Sequence, residues 1–169
     1  MGHTANSIHS TAREHIAEHA FLAVMGQFIW QKNVLSDGEP MGVLRAEADN
    51  DGFDVLLSLE GVHRAVQLKT TSLDGRTSRY SINRKLARAP GGCVIVLIVD
   101  DAITLNHFLF LESDEAANAV DLDGYKSAKH TKGNRLGIKT ERSGIATVPR
   151  GEFTKYESVG ELAEALFGA

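Results

Sequence analysis

The sequence predicts an α/β domain in which a central mixed β-sheet is flanked by helices. Three features of the chain support this fold class: a long amphipathic helix near the beginning, a β-hairpin that follows it, and a continuous apolar strand in the second half. Strands that alternate with helical segments are typical of sheets covered by helices. Each element also contributes candidate functional residues.

The length and composition fit one globular domain. The chain has 169 residues, of which 43% are hydrophobic and 24% charged, and we expect residues 1–169 to fold as a single unit. The lone Cys93 excludes an internal disulfide. No segment resembles a signal peptide or a membrane span, so the sequence predicts a cytoplasmic protein that does not enter membranes. The net charge of −4 argues against non-specific polyanion binding by the whole surface.

The first helix is predicted over residues 12–30. Its apolar residues recur at helical spacing and form a stripe: Ile16, Ala17, Ala20, Phe21, Val24, Met25 and Phe28. Glu14 and Glu18 are in phase with this stripe and therefore lie on it or beside it. Because burial of a lone carboxylate is unfavourable, we expect a bound metal or Lys69 as their partner. The alternative is a glutamate that flanks the stripe and reaches solvent.

A β-hairpin is predicted where two alternating segments meet at Glu60-Gly61. Apolar residues occupy every second position on both sides of this dipeptide: Val55, Leu57, Leu59, Val62, Val66 and Leu68. This period indicates two half-buried strands. A two-residue loop with Gly second favours a type I′ turn, which pairs Leu59 with Val62. Arg64 is the one charged residue on the otherwise apolar face.

The same register gathers polar side chains on the other face of the hairpin. Asp54 lies opposite Gln67, and Lys69 follows two positions later on the same face. Asp54 and Gln67 offer the oxygen ligands that Mg²⁺ or Mn²⁺ takes, and the carbonyl of Leu68 is a further candidate. A metal ion held there would lower the pKa of bound water for phosphodiester hydrolysis. Lys69 would position that water or stabilise charge on the phosphate, and Glu18 or Glu14 would complete the site.

A helix that bears Glu, a strand that starts at Asp and a following strand with Gln-x-Lys resemble the PD-(D/E)XK nuclease superfamily, the restriction-endonuclease-like fold. The residues that carry the resemblance are Glu18 (or Glu14), Asp54 and Gln67-Leu68-Lys69, within residues 12–100. Gln67 stands where an acid is commonest, a known variation in the superfamily. The resemblance implies metal-dependent hydrolysis of DNA with Asp54 as the principal ligand. It also implies a homodimer or a partner protein, since many nucleases of this fold act as dimers.

Two alternatives remain open at this point. The first is a catalytically inactive member of the same fold that binds nucleic acid or a protein, which the missing charge at Gln67 favours. The second is a small α/β interaction or immunity protein whose polar hairpin face is merely solvated.

Basic residues on both sides of the acidic centre are candidates for contacts with the nucleic-acid backbone. Arg84 and Lys85 follow the motif closely, and Lys129 and Lys132 lie in a predicted loop. An acidic centre with basic flanks suits a metal site between arms that contact phosphates. For any one of these residues the alternative is a solvated surface.

The remaining elements complete the predicted sheet. Strands are predicted at residues 42–48, 94–99 and 103–111, with a strand pair within 135–148, a strand or helix at 80–88, and a helix at 112–120. Ser158 and Glu161 form a capping box for a terminal helix. His15 and His19 have a spacing that can chelate zinc, but without an accompanying motif we expect ordinary surface histidines.

Overall fold

The fold is described from a computed structural model, over residues 9–46, 51–113, 118–129 and 140–168. The described residues form two α-helices and nine strands, with a mixed central sheet, which confirms the α/β prediction. In chain order they are α1 Ser10–Lys32, β1 Gly42–Arg45, β2 Val55–Leu59, β3 Val62–Ser72, β4 Arg79–Asn83, β5 Cys93–Val99, β6 Leu105–Leu111, β7 Ser127–Lys129, β8 Glu141–Pro149, β9 Thr154–Tyr156 and α2 Val159–Phe167.

The central sheet has six strands in the order β1-β2-β3-β5-β6-β9. The pairing of β3 with β5 is parallel, whereas the neighbouring pairs are antiparallel, so the predicted mixed sheet is confirmed. A second sheet of three strands, in the order β4-β8-β7, forms a layer that the sequence did not predict. No helix in the described ranges is both long and apolar enough to cross a membrane.

The hairpin of β2 and β3 has the predicted register. Leu59 pairs with Val62, and both turn residues have positive φ, 47° at Glu60 and 82° at Gly61. Positive φ at both central positions defines a type I′ turn. The turn therefore sets the register of every residue pair in the hairpin.

One face of the central sheet is covered by both helices. In α1 the buried apolar residues lie four apart: Ala17, Phe21, Met25 and Ile29. Ile16 is 52% exposed and Val24 is 39% exposed, so the buried stripe is narrower than the sequence predicted. Leu162 and Leu166 of α2 join the same core, and the capping box of Ser158 and Glu161 begins this helix as predicted.

The opposite face packs against the second sheet. Val94, Val96 and Ile98 of β5 share a core with Tyr80 and Ile82 of β4. Because both faces of β5 are covered, each of its residues is buried, as expected of a continuous apolar strand. Cys93 opens this strand, and burial raises the pKa of its thiol to about 12. A protonated, inaccessible thiol is not a nucleophile.

Several element boundaries differ from the predictions. Residues 80–88 contain both a strand and a 3₁₀ helix, Arg84–Arg88. Within 135–148 the described residues hold the single strand β8, which pairs with β4 and β7. Residues 112–113 and 118–120 are not helical. The remaining residues of that predicted helix, and Lys132, lie outside the described ranges.

Gly91 is expected to be one of the least replaceable residues of the fold. Its φ is +59°, and an added Cβ would lie 2.2 Å from the carbonyl oxygen of His63. Gly91→Ala should therefore lower the free energy of unfolding by about 2 kcal/mol or more, measured by urea denaturation. Gly151→Ala is the matched control, since nothing lies within 4 Å of its added Cβ. Equal stability of the two variants would contradict this expectation.

Candidate active site

The candidate site lies where β3 continues beyond the end of β2. Val55 is the first residue of β2 and pairs with Val66, so the chain before it turns away from β3 at Asp54. The backbone N–H of Asp54 still donates to the Val66 carbonyl at 2.9 Å. Its carboxylate Oδ2 accepts the backbone N–H of Leu68 at 2.7 Å. Asp54 thus supplies a hydrogen-bond acceptor to the edge of β3 at the point where β2 no longer pairs with it, and caps that edge.

A pocket of about 250 Å³ opens beside this edge. Its lining includes most of the catalytic and metal-binding residues predicted from the sequence: Glu14, Glu18, Asp54, Leu68 and Lys69. Helix α1 supplies the glutamates, the turn before β2 supplies Asp54, and β3 supplies Lys69. Three separate elements therefore bring carboxylates and an ammonium group to one cavity.

Gln67 does not line this pocket. It is 7% exposed, and its Oε1 accepts the backbone N–H of Asn83 at 3.1 Å. The amide of Gln67 therefore connects β3 to the end of β4, on the face away from α1. The location of Gln67, outside the pocket that holds the other predicted ligands, does not support its predicted role as a metal ligand.

Glu18 has a partner that the sequence analysis did not identify. Its Oε1 lies 2.9 Å from Nη1 of Arg45, with the two side chains 17% and 45% exposed. Arg45 ends β1 and pairs with Val55, which places it beside Asp54. Arg45 is a partner additional to the metal or Lys69 that the sequence predicts for Glu18. Sequence periodicity did not indicate the pairing of β1 with β2 that brings Arg45 here.

His15 and Thr70 also line the pocket. His15 lies between the two glutamates in α1 and borders a second cavity together with Glu18, Arg45 and Asp54. His15 is next to Glu14 and three residues before Glu18 on the helix. This spacing was the feature of the sequence that could have identified His15 as a pocket residue. His19, which lies four residues after His15 and is exposed, is not among the lining residues.

The donor set suits a hard divalent cation that keeps much of its water. Within the described residues, no three His, Cys, Asp or Glu side chains form a ready-made metal site. Mg²⁺ requires fewer protein ligands than such a site provides, since it is commonly held by one or two carboxylates, waters and substrate phosphate. Asp54 and Glu18 supply carboxylates at the pocket. The N–H and C=O of a strand residue point to the same side, so the Leu68 carbonyl faces the open edge beside Asp54.

The four basic residues predicted to contact nucleic acid have different surroundings. The guanidinium of Arg84 donates to the carbonyls of Leu122 and Tyr125, which gives Arg84 a structural role in joining the 3₁₀ helix Arg84–Arg88 to one loop. Lys85 is exposed at the mouth of a neighbouring cleft. Lys129 is exposed at the end of β7. Lys132 lies outside the described residues.

Comparison with known proteins gives little further information. No protein-family model and no curated protein matches the chain. Among solved structures, it is similar to a bacterial homing endonuclease, I-Ssp6803I, with 17% sequence identity and a TM-score of 0.36. The match covers 75% of this chain and 83% of the endonuclease. A TM-score this low does not establish a shared fold.

Proposed function

We propose that the protein is a metal-dependent endonuclease that hydrolyses DNA phosphodiester bonds. The observation that carries the proposal is the pocket in which Asp54, Lys69 and the glutamates of α1 meet at the edge of the central sheet. This arrangement agrees with the PD-(D/E)XK resemblance in the sequence, except at Gln67. A rigid sheet and helix can hold such groups in a fixed geometry for hydrolysis.

Each group has a role that follows from its chemistry. Asp54 and Glu18 (or Glu14) would hold Mg²⁺ or Mn²⁺, with the Leu68 carbonyl as an additional ligand. The ion, when bound, would neutralise phosphate charge and lower the pKa of bound water. Lys69 would stabilise charge that develops on the phosphate or orient the attacking water. The Leu68 N–H fixes the orientation of the Asp54 carboxylate through their hydrogen bond.

The wild-type protein provides the test of this proposal. Supercoiled plasmid and single-stranded DNA are incubated with Mg²⁺, Mn²⁺, Ca²⁺ or EDTA, and the products are separated on gels. We expect nicked or linear plasmid with Mg²⁺ or Mn²⁺ and intact DNA with EDTA. Cleavage of equal rate in EDTA, or intact DNA with every cation, would contradict the proposal.

Two observations favour a second function, that of an inactive nucleic-acid- or protein-binding module. The guanidinium of Arg45 already supplies a positive charge to Glu18, at the place where the nuclease would hold its cation. The amide of Gln67 adds no negative charge to the site, and its oxygen accepts the backbone N–H of Asn83. Under this alternative the ion pair stabilises a metal-free site, and DNA binding proceeds without cleavage.

Removing Arg45 distinguishes the two functions. If the site holds a metal, Arg45→Ala removes a competing cation from Glu18 and should tighten Mn²⁺ binding by about fivefold, measured by titration calorimetry. Lys32→Ala, at the other end of α1, is the matched control and should leave the affinity unchanged. Absence of Mn²⁺ binding in both the wild type and Arg45→Ala would favour the inactive module.

A further inference from the structure

A second cleft lies next to the candidate active site. Its volume is about 520 Å³, within the range of about 300–1,000 Å³ that is typical of small-ligand pockets. The lining combines an aromatic ring, Phe53, with the basic side chains of Lys85 and Arg88. Both basic residues are exposed, whereas Phe53 is half-buried and packs against the second core. The cleft thus offers a half-buried ring beside two positive charges, with the exposed carboxylate of Asp51 as the one negative charge of its lining.

Phe53 lines both this cleft and a cavity that contains active-site residues. That cavity contains Glu18, Arg45 and Asp54, and Asp54 is the neighbour of Phe53 in the chain. A ligand that spans both cavities would therefore have one part near the carboxylates and the next part beside the ring. A polymer that carries a phosphate in every unit could occupy the two cavities in this way, with successive units in successive cavities.

A close backbone approach and two hydrogen bonds hold the parts of the cleft together. Gly52 has φ +80°, and an added Cβ would lie 3.0 Å from the backbone nitrogen of Leu86, so only glycine lets this turn lie so close to the 3₁₀ helix Arg84–Arg88. Gln67 Oε1 accepts the Asn83 N–H, and Asn83 caps that helix by accepting the Lys85 N–H at 3.1 Å. Gln67 therefore positions the basic helix relative to β3.

We propose that this cleft is a nucleotide subsite, which binds an unpaired base on Phe53 and its phosphates at Lys85 and Arg88. The inference rests on the proposed function and deepens it by naming the substrate class, DNA that is single-stranded next to the cleaved bond. Base stacking on an aromatic side chain requires an exposed base face, which a paired duplex does not offer at an internal position. Lys and Arg contribute contacts that depend on salt.

The experiment measures DNA binding without turnover. Anisotropy of a labelled single strand, and of the same sequence as a blunt duplex, is recorded in EDTA for the wild type, Phe53→Leu, Phe53→Tyr and Lys85→Ala. Lys32→Ala is the control, because Lys32 lies about 21 Å along the α1 axis from Glu18 and is exposed. Thermal unfolding confirms that each variant is folded, and Phe53→Leu preserves apolar packing while it removes the ring.

We expect Phe53→Leu to weaken single-strand binding by about fivefold or more and duplex binding much less, with Phe53→Tyr close to wild type. Lys85→Ala should weaken binding and reduce the salt slope by about one, whereas Lys32→Ala should do neither. Equal binding by Phe53→Leu and wild type, equal effects of Lys85→Ala and Lys32→Ala, or tighter wild-type binding to duplex would overturn the subsite. Intact binding without cleavage in any metal would instead overturn the nuclease proposal.

Discussion

Replacing Asp54 with Asn is expected to slow metal-dependent DNA cleavage by roughly a hundredfold or more. Asn has the same size as Asp and retains an oxygen that can accept the Leu68 N–H, which Asp54 Oδ2 accepts at 2.7 Å. The substitution therefore preserves the cap on β3 and removes the negative charge that would hold the cation. The rate is measured in single-turnover reactions at saturating Mn²⁺, so that weaker metal binding does not account for the loss.

Two controls separate chemistry from folding and from DNA binding. The thermal unfolding midpoint of Asp54→Asn should lie close to that of the wild type. Its affinity for DNA in EDTA should be equal or higher, because a carboxylate that repels phosphates is gone. If Asp54→Asn cleaves DNA at the wild-type rate, the metal site does not include Asp54.

Replacing Arg64 with Met is expected to produce the largest loss of stability. Arg64 is 1% exposed, its Nε donates to the Leu166 carbonyl at 2.7 Å, and Nη2 lies 3.5 Å from the carbonyl of Ala165. These carbonyls end α2, where a cation also complements the helix dipole. Met fills a similar volume but leaves the buried Leu166 carbonyl and the partly buried Ala165 carbonyl without these donors. This loss should cost about 2–4 kcal/mol of unfolding free energy.

Urea denaturation measures this loss. Arg142→Met is the matched control, since Arg142 is exposed on β8 and its replacement should change stability by less than about 0.5 kcal/mol. A change of that small size in Arg64→Met would mean that Arg64 does not anchor α2. The same result would leave the apolar core alone to hold the terminal helix in place.

The hairpin could be predicted because its determinants are local. The dipeptide Glu60-Gly61 fixes the turn, the turn fixes the register, and the register carries Asp54 and Lys69 to neighbouring positions. Helical phase similarly brought Glu14 and Glu18 to the side of α1 that borders the pocket. Short-range periodicity therefore sufficed to bring Asp54, Lys69 and the two glutamates of α1 together.

The parts that sequence analysis missed depend on contacts between distant segments. Arg45 reaches Glu18 through the pairing of β1 with β2, and no periodicity encodes that pairing. The hairpin register predicted Gln67 beside Lys69 in the site, but the second sheet covers Gln67 and provides the Asn83 N–H as its donor. Arg64 was noted as an exception on an apolar face, and its partners in α2 are about a hundred residues away in the chain.

The most direct test of the central claim is one cleavage assay on four proteins purified identically: the wild type, Asp54→Asn, Lys69→Met and Lys32→Ala. Each is incubated with plasmid and single-stranded DNA in Mn²⁺ and in Mg²⁺. We predict metal-dependent cleavage by the wild type and Lys32→Ala, and its loss in Asp54→Asn and Lys69→Met. Cleavage that survives both site substitutions, or a wild type that leaves every substrate intact, would contradict the proposal that this pocket hydrolyses DNA.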